Sequence, residues 1–134
     1  MAKILDIEGV GEAFAAKLKA AGVGTVEALL EKAGSVKGRK DLAAATELNE
    51  AKLLEWVNRA DLFRIKGVAS EYSDLLEAAG VDSPAELAHR APAHLVAKMT
   101  ELNAAKKLVR KLPTESQVAN WVEQAKALPK LVTH

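Results

Sequence analysis

Apolar positions along the chain recur at helical spacing, three and four residues apart, and few stretches alternate with period two. The pattern predicts an all-α protein built from nine or ten short helices. Residues 3–6 read as a short first helix or its last turn. Residues 12–21 read as a helix with Phe14, Leu18 and Ala21 on one face, ended by Gly22. Thr25 is placed to cap a helix through about Ala33, and 35–46 to hold another. Asn49 then caps a helix through about Ala60 that carries Leu53, Leu54, Trp56 and Val57. Further on, Ser70 stands before a helix over 71–79 ended by Gly80. Ser83-Pro84-Ala85-Glu86 combines a cap, a proline at the first helical position and a capping-box glutamate. Pro92 opens the next helix, and 104–112 reads as an added helix closed by Pro113. Thr114-Glu115-Ser116-Gln117 starts the last one, which ends before Pro129.

The same pattern is written twice. Ile7-Glu8-Gly9-Val10-Gly11, Phe14, Leu18, Ala21-Gly22-Val23 and Thr25 recur 58 residues later. The second set is Ile65-Lys66-Gly67-Val68-Ala69, Tyr72, Leu76, Ala79-Gly80-Val81 and Ser83. Glycine, cap and apolar positions repeated in fixed order mean two copies of one supersecondary unit. A later echo sets Trp56-Val57 and Ala60 against Trp121-Val122 and Ala125. The organisation expected is a first half over 1–62 with two trailing helices and a second over 63–134 with three. No Gly/Ser-rich linker separates them, so packing as one domain around one core is expected.

Composition narrows the function. About half the residues (49%) are apolar, so a core is feasible. Net charge is +1, and the halves carry −1 and +2, without the strongly basic balance of a dedicated nucleic-acid binder. There is no cysteine, hence no disulfide frame and no thiolate metal site. No apolar run reaches membrane length and no leader is evident, so a cytoplasmic protein without membrane contact is the default expectation. His89 and His94 lack the flanking ligands of a metal site, and His134 is terminal. Neither a P-loop, a dinucleotide fingerprint nor a nucleophile elbow is present. With no convergent catalytic set, no enzyme activity and no cofactor are expected.

The glycine segments resemble the helix-hairpin-helix motif: a Gly-apolar-Gly turn, a periodic helix, then Ala-Gly-Val before a capped third helix. Taken with the Trp-Val helices, the order of the two halves looks like a bacterial family of unknown function. That family is built from tandem helix-hairpin-helix units, and the likeness covers nearly the whole chain. The resemblance implies that the turn amides hold a phosphate, strengthened by a nearby cation. By position the first set is Gly9, Val10 and Gly11, with Lys17 and Lys19. The second is Gly67, Val68, Ala69 and Ser70, with Arg64 and Lys66. Both copies depart from the motif. Glu8 and Glu12 flank the first turn, Ala69 replaces the second glycine of the other, and Glu71, Asp74 and Glu77 follow it.

Lys106, Lys107, Arg110 and Lys111 form a candidate basic patch, one stripe if the segment is helical. Lys37, Arg39 and Lys40 form a weaker one; either can also be an ordinary solvated face. Both tryptophans sit at core spacing. Two readings stay open. One is a non-enzymatic module contacting a nucleic-acid backbone without reading sequence. The other is a protein-interaction or self-assembly module in which the hairpins are structural.

Overall fold

A computed structural model describes residues 3–7, 9–68 and 70–133. The fold is all-α. After a 3-10 turn at Ile4–Asp6 come α1 (Glu12–Ala20), α2 (Val26–Ala33), α3 (Val36–Thr46) and α4 (Glu50–Leu62). There follow α5 (Ser70–Ala78), α6 (Pro84–Leu87), α7 (Pro92–Lys106) and α8 (Glu115–Ala127). No helix among the described residues is long and apolar enough to cross a membrane.

Local chemistry explains most boundaries. Thr25 Oγ1 accepts the Ala28 N–H at 3.1 Å, and Ser35 Oγ accepts the Gly38 N–H at 2.9 Å. Asn49 Oδ1 accepts from Ala51 at 2.7 Å, and Ser83 Oγ from Glu86 at 3.3 Å. Thr114 and Gln117 close a reciprocal capping box. Each contact satisfies amides that a helix start leaves without an intrahelical acceptor. At α6 the expected box is not made, because the Glu86 carboxylate turns to Arg90 at 3.0 Å.

The chain divides into two compact units. One comprises 1–61 with 130–134, the other 62–129. In the first, Ile4, Leu18, Leu29, Leu53 and Val57 are buried at 1% exposure or less. In the second, Leu62, Leu75, Leu76, Leu87 and Val118 are completely buried, with Met99 beside them. Each unit therefore has its own buried core. The tail joins the first through a Thr133 N–H bond to the Gly34 carbonyl (2.8 Å) and through buried Val132.

One expected helix is absent. Residues 107–113 are not helical; α7 runs on to Lys106 and stops where Lys107 takes a left-handed φ of 51°. Asn103 turns the chain there. Its side chain accepts the Val109 N–H at 2.9 Å and donates to the Val109 carbonyl at 3.2 Å. A helix through 112 would stack like charges at 106/110 and 107/111, which opposes it. The segment instead lies extended enough to bury Val109 and to pack Leu108 and Leu112 against the second core.

Candidate anion-binding turns

Each unit carries the same glycine turn, down to its hydrogen bonds. Val10 donates to Ile7 at 3.1 Å and Val68 to Ile65 at 3.1 Å. Gly9 has φ +91° and Gly67 φ +97°, conformations that a Cβ opposes. Beneath each turn lies a tryptophan, 2% exposed, tilted against an aromatic partner. The Phe14–Trp56 centroids are 5.2 Å apart, as are those of Tyr72 and Trp121. The indoles are core residues and also the floor on which the turns rest.

That floor is not equally close. A Cβ on Gly9 would stand 3.4 Å from Trp56 Nε1, whereas one on Gly67 would stand 2.9 Å from Trp121 Nε1. Gly9→Ala is expected to cost about 1 kcal/mol, from backbone strain alone. Gly67→Ala adds an overpacking cost and should lose about 2–3 kcal/mol. Paired chemical-denaturation curves check this order.

The first turn presents its backbone openly. Gly11 is the N-cap of α1 with extended dihedrals and no side-chain cap, and among the described residues nothing lies within 4 Å of a Cβ placed on it. The first intrahelical bond is made by Ala15 to the Gly11 carbonyl at 2.9 Å. The α1 amides before it have no intrahelical acceptor and no side-chain cap from Gly11, an arrangement in which helix geometry favours an anion. Glu12, exposed in the first helical turn, competes for the same dipole. The cations assigned to this turn do not converge on it. Lys17 and Lys19 occupy the last turn of α1, and Lys19 Cγ lies near Gly24, past the far end of the helix.

The second turn spends its polar groups on the fold. Gln124 on α8 accepts the Lys66 N–H at 2.8 Å and donates to the Lys66 carbonyl at 3.1 Å. Arg64 Nη2 donates to the Pro129 carbonyl at 2.7 Å. Lys66 keeps only its exposed side chain for a ligand. Val68 is buried, and Glu71 stands in the first turn of the helix behind it. Glu8, Ala69, His134 and the Ser70 side chain lie outside the described residues; the backbone places Ser70 as the first residue of α5.

The first basic cluster is not a helical stripe, and the second, although on α3, loses Arg39 to the interior. Lys106 ends α7, Lys107 is its left-handed cap, and Arg110 and Lys111 lie in the non-helical segment. The Lys111 carbonyl is held by the Tyr72 hydroxyl at 2.9 Å. In the other cluster Arg39 is 5% exposed, and its guanidinium donates to the carbonyls of Ala33 (3.1 Å), Gly34 (2.8 Å) and Thr133. Only Lys37 and Lys40 remain exposed there.

A second pair of cations escaped the sequence reading. Lys32 Nζ donates to the Ala21 carbonyl at 2.9 Å, and Arg90 Nη2 to the Gly80 carbonyl at 3.2 Å. Both cap the C-terminal turn after the first long helix of their unit. Lys32 and Arg90 are 58 residues apart, so the repeat offset could have found them. Among the described residues no group of three His, Cys, Asp or Glu side chains could hold a metal ion.

No curated protein and no solved structure matches the chain significantly. The model of one family, a domain of unknown function (DUF4332), matches residues 8–128, nearly the whole length over which these turns, caps and tryptophans are laid out, and the chain belongs to that family.

Proposed function

We propose that the protein is a non-enzymatic binding module of two helix-hairpin-helix units whose first turn contacts a nucleic-acid backbone without reading sequence. The observation that carries this is the open N-cap at Gly11: a glycine turn, a helix start without a side-chain cap and open space around the cap residue occur together there. The register that pairs Trp56 with Trp121 also sets Arg59, 8% exposed on α4, at the position of Gln124. In the second unit that position faces the turn, so the first unit carries a cation in this register. Such a contact is electrostatic, and it gives affinity and salt dependence rather than base specificity.

Titrating labelled duplex, single-stranded DNA and RNA into the protein tests this. Binding is expected at low salt with similar affinity across sequences, weakening steeply as salt rises. Absence of salt-sensitive binding at low salt would refute it.

A second reading has its own observation. Leu5, Phe14, Val36 and Leu131, the exposed large apolar side chains among the described residues, all belong to the first unit. They favour a protein partner or self-association. Light scattering over a concentration series reads the self-association arm directly.

A further inference from the structure

Two surface depressions occupy equivalent places in the two units. The first, about 300 Å³, is lined by Ala21, Lys32, Gly38, Asp41, Leu42 and Ala45. The second, about 460 Å³, is lined among others by Ala79, His89, Arg90, His94, Leu95 and Lys98. Ala21/Ala79 and Lys32/Arg90 are 58 residues apart. Gly38/His94 and Leu42/Lys98 are 56 apart, the register in which Ser35 and Ala91 are the N-caps of α3 and α7. One feature is thus built twice with different chemistry.

In the first unit the depression is neutral by construction. Lys32 shares it with Asp41, and the Gly38 amide is taken by Ser35. In the second unit three lining exchanges remove a carboxylate or add a donor side chain, with Ala97 at the position of Asp41, while Arg90 keeps the charge of Lys32 and Glu101 takes the position of Ala45. His94 stands for Gly38, Lys98 for Leu42 and Ala91 for Ser35; His89 is added, and no carboxylate lines the wall. Glu86 pairs with Arg90 at 3.0 Å, and Arg90 also holds the Gly80 carbonyl. Arg90 is therefore a fixed wall, while His89, His94 and Lys98 are exposed side chains that can turn to a ligand. Histidine donates from a ring nitrogen in either protonation state, and lysine donates three ways.

We propose that this depression binds a small organic phosphate. The phosphate oxygens are held by His89, His94 and Lys98 beside Arg90, and the organic part lies against exposed Ala91, above the buried Ala79 and Leu95. Charged donors around a concave wall suit a tetrahedral dianion. A volume of about 460 Å³ lies in the range of small-molecule pockets and exceeds what a bare ion fills, which favours an ester over free phosphate. The site is separate from the Gly9–Gly11 turn and does not depend on it.

The test is an NMR titration of the full-length labelled protein at constant ionic strength. The probes are phenyl phosphate, inorganic phosphate and phenol. Saturable shifts at His89, His94 and Lys98 are expected with phenyl phosphate, about tenfold weaker with inorganic phosphate, and none with phenol. His94→Gly with Lys98→Leu, which installs the first unit's residues, should weaken binding at least about tenfold, and Lys98→Leu alone should weaken it less. Lys37→Glu and Gly11→Asp should leave it unchanged, so this site and the turn fail or succeed independently. No saturable shift at these residues, or equal binding by the Lys98→Leu and double variants, would overturn the site. Equal affinity for inorganic phosphate would overturn the ester.

Discussion

Replacing Gly38 with alanine will destabilise the protein by roughly 2–3 kcal/mol and lower Tm by about 10 °C, although glycine-to-alanine in an open helix stabilises by about 1 kcal/mol. The reversal comes from one atom. A Cβ at Gly38 would stand 2.1 Å from the Lys32 carbonyl oxygen, a backbone atom that cannot swing aside. The first turn of α3 is pressed onto the end of α2 because this position has no side chain. Ser35 fixes that turn through the Gly38 amide, so α3 cannot retreat without losing its cap. Gly24→Ala is the control: its Cβ would meet only Lys19 Cγ at 3.8 Å, an ordinary contact, and stability should change little. Thermal melts of the two variants side by side decide the point.

Arg39→Ala is expected to cost about 3 kcal/mol, with Arg39→Lys intermediate. The guanidinium is buried and serves three carbonyls, two at the end of α2 and one at Thr133. Truncation leaves buried acceptors without a donor and removes packed methylenes. A lysine restores charge, but its compact ammonium lacks the planar fork that reaches several carbonyls. Because Thr133 also donates to Gly34, loss of Arg39 should loosen the tail before the rest of the unit. Hydrogen exchange at Thr133 accelerating more than at Leu53 would show this; equal acceleration would mean that Arg39 supports the unit as a whole.

What could be read in the chain was its local chemistry. Thr25, Ser83 and Thr114 cap helices because their oxygens need only amides three residues away. The glycines at 9, 22, 67 and 80 take positive φ for equally local reasons. The charge of each surface was less legible. Arg39 looked like part of a basic patch, yet its partners include Thr133, 94 residues away. Lys66 looked like a phosphate contact, yet its amide and carbonyl belong to Gln124, 58 residues on. The expected helix over 104–112 failed because the apolar pattern of Leu108 and Leu112 fits an extended segment on a core as well as a helix. The like charges at 106/110 and 107/111 and the Asn103–Val109 bonds choose between them. Distant partners decide the first two cases and a local side-chain turn the third, and periodicity carries no record of any of them.

Gly11→Asp isolates the binding site from the fold. At extended dihedrals with open space around Cβ, aspartate is a better N-cap than glycine by a few tenths of a kcal/mol, so Tm should hold or rise slightly. Its carboxylate would fold onto the free amides of α1 and occupy the place proposed for a phosphate. The nucleic-acid titration at low salt, run on wild type and Gly11→Asp together, should show binding lost by at least about tenfold in a variant that melts no lower. Unchanged affinity in that variant would contradict the assignment of the first turn as the backbone contact.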